Sequence, residues 1–106
     1  MNQENIRKII STIVPLVEPD QIILFGSQAR GDIHQDSDVD LLILKEGLTD
    51  EAGATNSIYY SFAKNNPGIA TDLLTTDLHK YHQYKKTIGY VYKTIDEEGR
   101  LIYDAT

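Results

Sequence analysis

The chain has 106 residues, 41% of them apolar, a formal net charge of −6 and no cysteine. That length supports one core and one domain over residues 1–106, and the lack of cysteine rules out disulfides and thiolate metal sites. No apolar run nears the roughly 18 residues of a bilayer span, and an acidic domain lacks the basic footprint of a protein that binds free DNA or RNA. Lys80, Lys85 and Lys86 are the only local exception. Met1–Asn5 has no basic start leading into an apolar block, so no secretory signal is visible and a cytoplasmic protein is the simple reading.

In chain order, Ile6, Ile9, Ile10, Ile13, Val14 and Val17 recur at steps of three and four, which predicts an amphipathic helix over 3–17. Pro15 should kink or shorten its last turn, and Pro19 stops it. Gln21–Phe25 reads as an apolar strand. Residues 27–31 suggest a short helical turn, and 32–37 a polar loop. Residues 38–44 form a second strand, whose Leu41-Leu42-Ile43-Leu44 run marks burial on both faces. Gly47 and Gly53 punctuate a loop. A helix over 54–65 follows, carried by Ile58, Tyr59, Phe62 and Ala63 and ended by Asn66-Pro67-Gly68. A third strand covers 69–75. Asp77 reads as the N-cap of a helix through Leu78 and Tyr81. A last helix over 87–98 carries Ile88, Val91, Tyr92 and Ile95, and Gly99 stops it. Leu101-Ile102-Tyr103 is a short final strand or an apolar tail. Alternating strands and helices place the chain in the α/β (α+β) class.

The chemistry concentrates between the first two strands. Asp38 and Asp40 alternate at the head of the buried second strand, so both side chains point the same way, about 6.5–7 Å apart. Two such carboxylates repel each other unless a cation lies between them, which is the geometry of a divalent metal site. The first strand ends in Gly26-Ser27, a small pair with exposed amides that phosphate can approach. Asp36, Asp38 and Asp40 also imitate the start of an EF-hand loop. That loop needs Gly at position six and Glu at position twelve, where this chain has Leu41 and Gly47.

Gly26-Ser27, ten residues and then Asp38-x-Asp40 resembles the signature of the DNA polymerase β-like nucleotidyltransferases. Leu24-Phe25 before it, Ala29-Arg30-Gly31 within it, and Asp36-Ser37 and Leu41 around the aspartates are similar to the minimal nucleotidyltransferases, the MNT type often encoded beside a helical HEPN protein. Thr71-Asp72-Leu73-Leu74 is similar to the family's later strand with its third carboxylate. Ile88–Tyr92 and Glu97–Tyr103 are similar to its C-terminal ending. Gln28 departs from the basic or aromatic residue that many members carry.

The resemblance implies a polymerase β-like palm fold, a short mixed β-sheet flanked by helices. It implies transfer of AMP from ATP to a hydroxyl, with Asp38, Asp40 and Asp72 as catalytic ligands of Mg²⁺, two ions in all. Gly26 and Ser27 would hold the triphosphate, and Arg30 would contact phosphate or brace the acidic loop. In the resembled family the minimal enzyme acts as antitoxin to a HEPN toxin, by adenylylating its tyrosines. Neither a membrane nor nucleic acid is then expected as a partner. Two other functions stay open: a non-catalytic subunit that masks a HEPN toxin, and an aminoglycoside-type transferase acting on a small molecule.

Plainer roles compete at several positions. Gly-Ser is a common turn, Asp-x-Asp a common solvated edge, and Asp72 could be a strand-end turn residue. Arg30 could be an ion-pair partner of Asp32 or Asp36. Asp36 suits an Asx turn. His34 is expected in an exposed loop. His79 and His82 are expected on the surface, without a carboxylate pattern that would make them a metal site. The tyrosines divide between core, rim and a partner surface.

Overall fold

A computed structural model describes residues 3–26, 29, 39–65 and 70–105 of the chain. Helix α1 (Gln3–Val17) leads into β1 (Gln21–Phe25), and β2 (Val39–Lys45) follows. Helix α2 (Glu51–Asn65) then crosses to β3 (Thr71–Asp77). Helices α3 (Leu78–Tyr84) and α4 (Val91–Glu98) precede β4 (Arg100–Asp104). The four strands form one mixed sheet in the order β3-β2-β1-β4. Strand β1 is antiparallel to both β2 and β4, whereas β2 and β3 are parallel.

The apolar run of β2 is buried on both sides, as its composition predicts. Val39, Leu41 and Ile43 pack with Ile22 and Leu24 under Ile9 and Ile13 of α1 and Ile58 and Phe62 of α2. Leu42 and Leu44 face the other way, with Ile23, Tyr81 of α3, and Tyr92 and Ile95 of α4. Two small cores therefore share one sheet, and strand alternation assigns each residue to its side.

Several boundaries differ from expectation for local reasons. Pro15 does not shorten α1, which runs to Val17. Proline this close to a helix end removes only one backbone donor, and Glu18 N–H still donates to Val14 O at 2.9 Å. Helix α2 begins at Glu51 rather than 54, because Asp50 caps it. The Asp50 carboxylate accepts from Gly53 N–H at 2.9 Å, so that glycine lies inside the first turn. Helix α4 begins at Val91, not 87. Gly89 (φ +97°) breaks the chain just before it, and Ile88 falls outside the buried stripe, 86% exposed. Asp77 ends β3 and caps α3, accepting from Lys80 N–H at 3.1 Å. The short helical turn expected over 27–31 lies outside the described residues except at Ala29, whose N–H donates to Gly26 O at 3.2 Å.

Candidate functional site

The parallel pairing of β2 and β3 decides which carboxylates meet. Asp40 stands opposite Asp72, in the same register that pairs Leu42 with Leu74. Register partners on adjacent strands share a face. Their face is the side of Leu42 and Leu44, the one that α3 and α4 cover farther along the strands. Asp40 is half-buried and Asp72 is exposed. Both sit near the N-terminal ends of their strands, so the two carboxylates open at one rim of the sheet.

The end of β1 reaches the same rim. Phe25 pairs with Asp40, and Gly26 follows it with φ +76°. A Cβ on Gly26 would collide with the Asp40 carboxylate, meeting Oδ2 and coming within 3.1 Å of Cγ. This position needs glycine twice over, once for its left-handed backbone and once for the space that the Asp40 side chain fills. The closeness brings a bare stretch of backbone against a carboxylate.

Of the residues singled out in the sequence, Gly26, Asp40 and Asp72 are thus brought to one rim. Ser27, Arg30 and Asp38 lie outside the described residues. Among the described residues, no three His, Asp or Glu side chains gather as a metal site. The donor set nonetheless fits Mg²⁺, a hard cation that keeps several waters and takes only one or two protein carboxylates. Asp40 and Asp72 are oxygen donors in register on adjacent strands.

His79 and His82 are exposed, whereas His34 lies outside the described residues. His79 Nε2 is 3.2 Å from Glu46 Oε1, beyond the C-terminal end of β2. Asp77 organises that opposite end. Its carboxylate accepts from the backbone N–H groups of Lys80 and Gly47, and these bonds hold its pKa below the usual value. Burial instead pushes the Tyr81 phenol up, to about 12, with Asp96 adding to the rise.

Two neighbours of the site escaped sequence reasoning. Phe25 is placed beside Asp40 by strand pairing. Tyr59 of α2 receives a hydrogen bond from Leu73 N–H, next to Asp72, at 3.0 Å. Both depend on which elements pack together, which no local pattern signals.

The nucleotidyltransferase domain family matches residues 4–102. A 38-residue stretch is 58% identical to a protein of Methanocaldococcus jannaschii named as a candidate protein adenylyltransferase. The match covers 36% of this chain and 37% of that protein, so the chain spans little more than a third of this curated relative. The fold is similar to that of a toxin–antitoxin crystal structure with AMP-PNP, at TM-score 0.63 and 20% identity, over 100% of this chain and 76% of that one. It is also similar to the complex of a tri-AMPylated HEPN toxin of Shewanella oneidensis with its MNT antitoxin. That likeness has TM-score 0.57 and 18% identity, over 99% of this chain and 74% of the other.

Proposed function

Because the chain belongs to the nucleotidyltransferase domain family, we propose that it transfers AMP from ATP to a hydroxyl, and that the acceptor is a tyrosine of a HEPN-type toxin partner. The observation that carries the reading is the register of Asp40 with Asp72 beside Gly26. Side-by-side carboxylates on an open rim suit the handling of a triphosphate and its metal ions. The toxin as acceptor is supported by the likeness to complexes of that kind.

In this reading the bare backbone at Gly26 lets phosphate approach closely, and Ser27 donates its hydroxyl and amide to a phosphate oxygen. Arg30 contacts phosphate or braces the acidic loop. Asp38, Asp40 and Asp72 hold Mg²⁺, two ions in all. Bound there, the metal supplies charge neutralisation at the α-phosphate and the pyrophosphate. Asp72 lies toward the acceptor and favours loss of the phenolic proton. The phenolic oxygen forms a bond to the α-phosphorus as the α–β bridging bond breaks. Pyrophosphate leaves with that electron pair, and the proton passes to solvent.

The test incubates the chain with its toxin partner, Mg²⁺ and ATP, and weighs the toxin by mass spectrometry. A mass gain of AMP, lost when the target tyrosine is changed to Phe, is the expected result. A toxin that is blocked but unmodified would overturn the catalytic reading in favour of masking.

A further inference from the structure

We propose that Tyr59 is a positioning residue for Asp72. The inference rests on the reading of Asp72 as a metal-holding group. Among the described residues, strand β3 is an edge strand, joined to the sheet on one side, by β2. Asp72 is the second residue of that strand and is exposed. An edge strand frays from its end, because only one neighbour holds its backbone. A ligand carboxylate must nevertheless stay within about 0.5 Å of its working position.

Helix α2 supplies the missing restraint. Tyr59 Oη accepts from Leu73 N–H at 3.0 Å, and Thr55 Oγ1 shares a 2.7 Å hydrogen bond with Thr75 Oγ1. One turn farther back, Glu51 O accepts from Thr75 Oγ1 at 3.0 Å. The helix runs antiparallel to β3, and the spacing matches: four helical residues rise about 6 Å, two strand residues about 6.6 Å. The Thr55 and Tyr59 turns of α2 therefore grip alternate residues of β3, Thr75 and Leu73. Ile58 and Phe62, buried in the core, fix the rotation of α2 that aims these hydroxyls.

Tyr59 is the last of these grips before the Asp72 end. The peptide it holds is the one joining Asp72 to Leu73. Fixing that peptide fixes the direction in which the Asp72 Cα–Cβ bond leaves the strand. Tyr59 does this from the opposite side of the sheet: Leu73 packs with the α1–α2 core, whereas Asp72 faces the other way. The phenol thus steadies a carboxylate that it does not touch.

The test is Tyr59→Phe, which removes one oxygen and keeps the ring, with the neighbouring, 71% exposed Tyr60 changed to Phe as control. In the metal-free protein, hydrogen exchange at the Leu73 amide should quicken by about tenfold, with the β2 amides unchanged. Mn²⁺, titrated without nucleotide, should bind several-fold more weakly. Against the acceptor, kcat should fall by about tenfold with KM for ATP unchanged. Faster Leu73 exchange with unaltered Mn²⁺ affinity and kcat would overturn the proposal and leave Tyr59 as edge cover alone. Unchanged exchange would overturn it too. Asp72→Asn separates this result from the underlying reading: if that variant binds Mn²⁺ as tightly as the parent, the metal role of Asp72 itself fails.

Discussion

Replacing Gly26 by alanine separates two consequences of one methyl group. The backbone there has φ +76°, and alanine in the left-handed region costs about 1–2 kcal/mol. Gly47 has nearly the same backbone, φ +77°, but open space where its Cβ would lie. Gly47→Ala therefore carries the backbone cost alone. For a domain near this size each 1 kcal/mol lowers Tm by about 4–8 °C. Both variants should lose that much by thermal circular dichroism. They part company at the site. In Gly26→Ala the new methyl falls on the Asp40 carboxylate, a flexible group that can swing away and thereby leaves its working position. A shift near 1 Å can cost about 100-fold in rate, so AMP transfer from α-labelled ATP should fall by that order in Gly26→Ala and stay near the parent rate in Gly47→Ala. Equal activity in the two variants would refute the argument that Asp40 needs the space Gly26 leaves.

Asp72→Asn should lower kcat/KM by at least about 100-fold, some 2.7 kcal/mol of transition-state stabilisation, while Tm stays within a few degrees, because the side chain is exposed and packs nothing. Chelation of divalent metal with EDTA should abolish transfer by the parent chain, and added Mg²⁺ should restore it. Asp77 has a depressed carboxylate pKa in the folded state, so its contribution to stability is present above the unfolded value near 4 and is lost as pH falls through the lower, folded one. Asp77→Asn, which still caps but carries no charge, should flatten that part of the acid stability curve. Tyr81 has a raised phenol pKa, so its contribution is intact below about pH 10 and is lost as pH climbs toward 12. Tyr81→Phe should blunt alkaline unfolding there, and an ultraviolet titration of the parent should show one phenol ionising late.

What the sequence revealed about this fold depended on range. The periodic isoleucines of α1, the β1 strand and the Asp77 cap are local signals, and each stands where its pattern predicts. Glycine is the ambiguous signal: Gly53 suggests a loop yet sits in a capped first turn, and Gly89 falls within a helical pattern yet its positive φ interrupts the helix. The meeting of Asp40 with Asp72 could be expected only on condition that the third strand lies beside the second, a condition that is a property of topology. In the sequence Tyr59 is only part of a helical stripe. Its bond to Leu73 exists only after α2 has docked along β3.

The parallel pairing of β2 with β3 also bears on how the molecule comes to be. Parallel neighbours cannot be joined by a hairpin, so the polypeptide must traverse the whole of α2 before the two strands touch. Contacts so distant along the chain form late and slowly during folding. Asp40 and Asp72 are strangers until that long loop closes. On the proposed reading, a nascent or half-collapsed chain therefore has no means of gathering a nucleotide, and the competence of the rim is acquired in one step with the completed sheet.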